Sequence, residues 1–358
     1  MMTNSNIFII LALAVGFLIS FASTPAVIAL AHKIKAIDIP KDERRVHKKP
    51  IPLIGGLAIF YGFAVSVTCF ATMERELIGI LIGSVIMVAV GIFDDKFDLN
   101  AKLKLLFQFI AAGIVIYFGV DIQFVANPFV KWFGPEYISL GLWSIPLTMI
   151  WIIGVTNAVN LIDGLDGLAA GVSSIASVAL LSLTLISQNH NAAIITAALA
   201  GAGIGFLPYN FNPAKIFMGD TGSTFLGFVL ACISIQGIMK TYALVSFAVP
   251  VLILGLPIFD TLFAIIRRIL KRKPIMSADR GHLHHRLLDM GFSQKQTVAI
   301  LYTLTSILCL TAVVMSLKDV WRGLLLVVAV VVILVVTFLT MESKHDKSSE
   351  EENSNEKD

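Results

Sequence analysis

Apolar stretches, each close to the roughly 20 residues that a helix needs to cross a bilayer, recur along almost the whole chain. Eleven of them fall at about 6–31, 52–72, 77–93, 105–120, 143–160, 167–187, 191–209, 223–239, 243–266, 297–317 and 323–341. This pattern predicts an all-α, polytopic bundle inside a membrane. Composition agrees. Of the 358 residues, 57% are hydrophobic and 14% charged, whereas a soluble domain has roughly 45–50% and about 25%. The fifth and sixth runs are interrupted around Asp163. The reading divides the chain into a membrane-embedded domain, 1–341, and a polar tail, 342–358, expected to be disordered.

Basic residues set the expected orientation. Alternate gaps between the runs hold only Arg75, Lys131, Lys240, Lys318 and Arg322, while the other gaps and the tail hold the remaining 22 of 27 Lys and Arg. The richer side should be cytoplasmic, with the N-terminus outside and the C-terminus inside. The first run lacks a basic leader and is longer than a signal-peptide core, so it reads as a retained helix. Cys69, Cys232 and Cys309 lie within runs, without ligand-like spacing, and read as packing residues. No internal repeat is evident, which weakens a transporter built from inverted repeats.

Acidic and amide side chains gather at the cytoplasmic ends of the runs, where they are tolerated if they face water, a metal or a cation. Asp94, Asp95 and Asp98 close the third run, with Lys102 and Lys104 just beyond. If the helix continues, Asp94 and Asp98 share a face. Such acids could bind Mg²⁺ or accept a proton from a phosphate, and the lysines could hold a pyrophosphate. Asn157, Asn160, Asp163 and Asp166 follow at intervals of three, among Gly164, Gly167 and Gly171. On a helix or tight turn they would form one polar stripe, too expensive for packing alone, and their oxygens suit Mg²⁺. The glycines permit close backbone approach. The segment from Asn210 through Pro213, Lys215, Phe217 and Gly219 to Asp220 leads into the eighth run. The free N–H groups of a helix start suit phosphate, or Asp220 is simply an N-cap. Phe217 could stack on a base or sit in the membrane interface.

The longest loop joins Arg267-Arg268 and Lys271-Arg272-Lys273, most simply a topology anchor, to Arg280-Gly281-His282-Leu283-His284-His285-Arg286. The His-rich part could bind an anion, a sugar or a metal. Structural zinc is a poor fit, since no Cys is near. The first cytoplasmic loop ends Lys48-Lys49-Pro50-Ile51-Pro52-Leu53-Ile54-Gly55-Gly56. It is a rigid entry that sets Lys48 and Lys49 near the surface, where they could meet a lipid phosphate. Asp260, inside the ninth run, reads as a structural partner within the bundle more readily than as a catalytic group.

Four motifs in order and on one predicted side carry a resemblance: Asp94-Asp95, the string from Asn157 to Gly167, the string from Phe217 to Ser223, and the His-rich loop at 282–285. They resemble the polyprenyl-phosphate N-acetylhexosamine-1-phosphate transferases. These bacterial membrane enzymes start lipid-linked O-antigen, common-antigen or teichoic acid linkage units, and they include the phospho-MurNAc-pentapeptide translocase of peptidoglycan synthesis. The resemblance covers about residues 6–341. It implies a ten- or eleven-helix bundle in the plasma membrane that depends on Mg²⁺, with Mn²⁺ as a substitute. It also implies transfer of a sugar 1-phosphate from a UDP-sugar to undecaprenyl phosphate in the cytoplasmic leaflet, with release of UMP. Carried over by position, Asp220 is the main Mg²⁺ ligand and Asn160 the second. On the same resemblance Lys104 would hold the diphosphate, Phe217 and Asn210 would contact uracil, and Asp163 and Asp166 would organise the nucleotide side. Asp94, with Asp95 beside it, would take the lipid phosphate's proton, and Asp163 joins them as a catalytic candidate. Arg280, His282, His284 and His285 would recognise the sugar, and Lys49 the lipid phosphate.

The His loop separates the branches. Three consecutive His mark the peptidoglycan translocase, whereas Arg280-Gly281-His282-Leu283-His284-His285 resembles the N-acetylglucosamine branch. UDP-GlcNAc is therefore the expected donor, the bilayer and undecaprenyl phosphate the expected partners, and a homodimer the expected assembly; no nucleic-acid partner is expected. Both reactants are anionic, so a cation and the lysines must offset their repulsion. Direct in-line attack is the expected route, with an aspartyl-phosphate intermediate as its rival. A transporter would need charges near the bilayer midplane, and here they cluster at one face.

Overall fold

The computed structural model describes residues 4–39, 50–126, 137–239, 247–272, 281–317 and 325. Lipid offers a backbone no hydrogen bonds, so a spanning segment must satisfy its own, and helices dominate. They are α1 (Asn4–Ile34), α2 (Gly56–Phe70), α3 (Arg75–Phe97), α4 (Ala101–Tyr117), α5 (Ser144–Leu161), α6 (Leu168–Ile186), α7 (His190–Asn210), α8 (Gly219–Ser234), α9 (Ala248–Ile253), α10 (Gly255–Leu270), α11 (Leu283–Asp289) and α12 (Gln294–Ser316). Two small antiparallel ladders join β1 (Ile37–Asp38) to β2 (Ile51–Pro52) and β3 (Phe124–Ala126) to β4 (Tyr137–Ser139).

Among the described residues six helices are long and apolar enough to cross a membrane: α1, α3, α5 with the turn before it, α6, α7 and α12. This makes the chain a polytopic membrane protein, with six full-length spans among the described residues where eleven runs are expected over the whole chain. The eighth run is the 16-residue α8, followed by a π-helical turn at Ile235–Met239. At 1.5 Å per residue α8 rises only about 24 Å. The ninth run breaks into α9 and α10. Helix α11 is unexpected, because the loop that contains it has no apolar run. Apart from Leu325, the eleventh run and the tail lie outside the described residues.

The centre of the bundle is built on α7 and α8. Every residue of α8 from Thr221 to Ser234 is buried. Helix α7 packs on α1, α2 and α6, while α8 lies between α3 and α5 and crosses α2. The Ala- and Gly-rich sequence of α7 lets neighbouring backbones come close. Cys232 and Cys309 are buried packing residues, as expected, but Cys69 is exposed on α2. Leu262, Phe263, Ile266 and Leu270 lie exposed along α10, as expected of a lipid-facing surface.

One of the tight crossings is between α2 and α8. A Cβ added at Gly56 would collide with the backbone of Gly222, whereas one added at Gly154 on α5 would meet nothing within 4 Å. Gly56→Ala should therefore cost about 1–3 kcal/mol through forced separation of the helices. Gly154→Ala should be neutral or stabilising by up to about 1 kcal/mol. Thermal unfolding of the two variants in detergent checks this; equal melting temperatures would refute the crossing.

Candidate active site

Several helix ends meet at one end of the bundle. The third helix does continue through the acidic residues and stops at Asp98, whose left-handed backbone (φ 53°) forms its C-cap. Asp98 is exposed, and its backbone N–H donates to Asp94 O at 2.8 Å. Asp94 is buried. Its Oδ1 accepts from the Leu99 N–H at 2.8 Å, and its Oδ2 from Lys104 Nζ at 2.8 Å. Lys104, in the first turn of α4, also reaches Asp220 Oδ2 at 3.0 Å. One ammonium thus bridges two carboxylates from α3 and α8. Lys102 stays exposed.

Asp95 faces the start of α8. Its oxygens accept from the Asp220 N–H at 2.8 Å, the Thr221 N–H at 3.1 Å and the Thr221 hydroxyl at 2.6 Å. A helix start has N–H groups without intrahelical partners, and here a carboxylate from another helix supplies the cap. Gly219 lies directly against it at φ 69°, where a Cβ would strike the Asp95 carboxylate. The segment before α8 is held from the other side. The Phe217 N–H donates to Pro52 O at 2.8 Å, Gly55 N–H to Phe217 O at 2.9 Å and Gly56 N–H to Met218 O at 2.9 Å. The rigid entry to α2 is therefore a template that sets Phe217 and Asp220.

The predicted stripe from Asn157 to Asp166 does not form as one face, because α5 ends at Leu161 and a turn follows. Asn157 pairs reciprocally with Gln108 of α4, at 2.6 and 3.2 Å. Asn160 Nδ2 donates to Asp220 Oδ1 at 3.0 Å and to the Ser223 hydroxyl at 2.8 Å, which leaves its amide oxygen for another partner. Asp166 Oδ2 accepts from Asn212 Nδ2 at 2.9 Å and from the Ala214 N–H at 3.0 Å. Asp163 is different: burial, then the carboxylates of Asp220, Asp95 and Asp166, push its pKa up to about 8. Among the described residues no donor reaches its carboxylate.

Asp95, Asn160, Asp163, Asp166, Asn210, Phe217, Asp220 and His285 all line one cavity of about 330 Å³. Asp94 and Lys104 are joined to this wall through Asp220. The buried Asn210 donates to Ile216 O at 3.0 Å, while its Oδ1 has no partner among the described residues. The His loop divides. His285 reaches the cavity, but His282 and His284 are buried; burial first, then His285, lowers the His284 pKa to about 4. His282 bonds instead to Asp260 at 2.8 Å, which fits the structural reading of that acid. Lys49 and Arg280 lie outside the described residues.

Sequence reasoning gave no role to Asp38 or Gln294, both on the cavity wall, nor to Asn212, which links Gln294 to Asp166. It also missed Tyr302 of α12, whose hydroxyl donates to Gly167 O, in the turn that carries Asp163 and Asp166. Asp38 stands in a conspicuous acidic and basic loop and could have been singled out. A Tyr in a predicted span carries no such signal.

These features define a polytopic membrane protein with an acid-lined cavity at the joined ends of α3, α5 and α8. Residues 77–238, which include these elements, match glycosyl transferase family 4, and the chain belongs to that family. It is 40% identical, over 91% of its length and 90% of the relative's, to a Bacillus subtilis protein named "Probable undecaprenyl-phosphate N-acetylglucosaminyl 1-phosphate transferase". It is 32% identical to the decaprenyl-phosphate N-acetylglucosaminephosphotransferase of Mycobacterium tuberculosis, over 80% of this chain and 77% of that one. The phospho-N-acetylmuramoyl-pentapeptide-transferase of Clostridium beijerinckii is 30% identical, over 87% of this chain and 96% of that one.

Two stability effects of opposite sign follow from the acids. Removing the cap in Asp95→Ala should lower stability by about 1–2 kcal/mol, read as a fall in melting temperature. Asp163 is more readily protonated in the folded chain than in the unfolded one, so its contribution to stability falls as pH rises between 3.8 and about 8. Asp163→Asn should accordingly raise the melting temperature, and by more at pH 8 than at pH 4. A pH-independent difference between variant and parent would contradict the assigned environment.

Proposed function

We propose that this chain transfers N-acetylglucosamine 1-phosphate from UDP-GlcNAc to undecaprenyl phosphate, giving the lipid diphosphosugar and UMP. An oxygen of the lipid phosphate bonds to the sugar-bearing phosphorus, the bond from that phosphorus to the bridging oxygen breaks, and UMP leaves with the electron pair. The observation that carries the reading is the convergence of Asp163, Asp166, Asn210, Phe217, Asp220 and His285 on one cavity, in a chain 40% identical to a transferase of that name. The product would begin a surface glycopolymer such as a teichoic acid or lipopolysaccharide. Peptidoglycan pentapeptide transfer is the second reading, supported by relatives of that name at about 30% identity.

Phe217 offers a flat face for uracil, and Asn210 an unused amide oxygen beside it. Lys104 can exchange Asp94 for an incoming phosphate, which would free the Asp94 carboxylate to take any proton the acceptor still carries. That demand is small, because a phosphate monoester has a second pKa near about 6. Asp95, engaged by the start of α8, holds Asp220 in place. A single direct displacement needs no protein adduct.

Mg²⁺ is the proposed cofactor. Among the described residues no three acidic or imidazole groups make a ready cage. This suits Mg²⁺, which is commonly bound by one or two carboxylates together with substrate phosphates. Asp220 and Asn160 would supply oxygens to it, with Asp163 on the same cavity. When bound, the ion would offset charge on the diphosphate. The loop carrying Lys41, Arg44, Arg45, Lys48 and Lys49 joins Asp38 at the cavity to the entry of α2. By the positive-inside rule this end faces the cytoplasm, where UDP-sugars and the inner leaflet meet.

The test is UMP release by the detergent-purified protein with undecaprenyl phosphate and Mg²⁺, comparing UDP-GlcNAc with UDP-MurNAc-pentapeptide. Turnover is expected with UDP-GlcNAc, lost on chelation by EDTA and reduced about a hundredfold or more in Asp220→Ala. Turnover with the pentapeptide donor alone would overturn the assignment. UMP exchange into UDP-GlcNAc without lipid acceptor would overturn the single displacement.

A further inference from the structure

Asp260 lies on α10, away from the cavity wall, yet both of its oxygens are engaged. Oδ1 accepts from the Leu283 N–H at 2.8 Å, the first residue of α11, and Oδ2 meets His282 Nδ1 at 2.8 Å. The pair is closed to solvent, with side-chain exposures of 6% and 8%. Two turns along α10, the Arg267 guanidinium packs where a Cβ on Gly281 would stand. Helix α10 therefore grips the incoming strand of the loop at 281–283.

From that grip a chain of rings leads to the cavity. His282 stacks on His284 with centroids 5.9 Å apart and planes within 10°, and His284 lies 4.2 Å from His285. His284 is pressed against Gly164, where any side chain would collide with its ring. Gly164 belongs to the same turn as Asp163 and Asp166. Of the three imidazoles, His285 is the one on the cavity wall. Helix α11 has only 7 residues, and an isolated helix below about 12–15 residues does not hold its own shape. Its placement must come from its anchors, and Asp260 holds its first residue and His282 directly.

We propose that Asp260 is a positioning residue for donor binding: through His282 and the first residue of α11 it fixes where His285 stands in the cavity. This rests on the reading of that cavity as the UDP-sugar site. Asp260 touches no substrate. Its buried pairing makes loss of one partner expensive, since the other is left without compensation, and the loop would leave its seat on Gly164.

The experiment is a double-mutant cycle on the full-length protein in detergent, with UDP-GlcNAc and UMP binding measured by calorimetry. Asp260→Ala and His285→Ala should each weaken UDP-GlcNAc binding by about tenfold or more, and the double variant no further. UMP lacks the sugar end, so its binding should stay within about twofold. Asp260→Glu should recover part of the loss. Wild-type affinity in Asp260→Ala, losses that add in the double variant, or an equal loss for UMP would each overturn the proposal. If Asp260→Ala does not fold, His282→Asn cuts the same link from the loop side and must reproduce the pattern. Failure of the underlying reading would appear elsewhere, as a wild-type protein that neither binds UDP-GlcNAc nor releases UMP.

Discussion

The carboxylate of Asp95 caps α8 from another helix, and much of the site depends on this one cross-bundle cap. Helix α8 is buried from Thr221 onward, so water cannot satisfy the N–H groups at its start. Asp95 supplies acceptors to two of them and to the Thr221 hydroxyl. The cap fixes α3 against α8, places Asp220 opposite Lys104 and Asn160, and orients the segment whose backbone pairs with Pro52 and Gly55. A residue that reads as half of a catalytic acid pair is thus also the joint of the framework. The adjacent acids divide the labour: Asp94 holds the lysine and Asp95 holds the helix.

The second constraint is electrostatic. Five carboxylates, of Asp38, Asp95, Asp163, Asp166 and Asp220, face the cavity together with His285, and Lys104 bridges Asp220 to Asp94. Asp166 and Asp95 are quieted by backbone and amide donors, and Asp220 by Lys104 and Asn160. Asp163 is left unbalanced. A fold selected for stability alone would have no use for such a group. Strain of this kind is common where a site awaits a charged ligand.

The apolar runs made the helical membrane bundle readable, because spacing and length suffice for it. The acids at one end were readable for the same reason: polar groups stand out against an apolar ground. Partnership was harder. Asn157 and Asn160 share a spacing rule, yet one turns to Gln108 and the other to Asp220, since the helix stops between Asn160 and Asp163 and periodicity does not announce its own end. The three imidazoles looked equivalent in the loop; burial against α10 and Gly164 separates them, and no local pattern encodes that. Tyr302 and Gln294 act from α12, far along the chain from the turn they touch or face. The break between α9 and α10 lay inside an unbroken apolar run.

The crossing of Gly56 and Gly222 has a consequence for how such a chain can change over time. Most tight contacts in a core join two side chains, so an enlargement on one side can be offset by a reduction on the other. Here the obstacle to a Cβ on Gly56 is the backbone of Gly222 and Thr221, and the obstacle on Gly222 includes the backbone of Gly56. A backbone cannot be made smaller by substitution. Neither position can be rescued by its neighbour, and divergence at this crossing requires the two helices to move apart as bodies, carrying Asp220 with them.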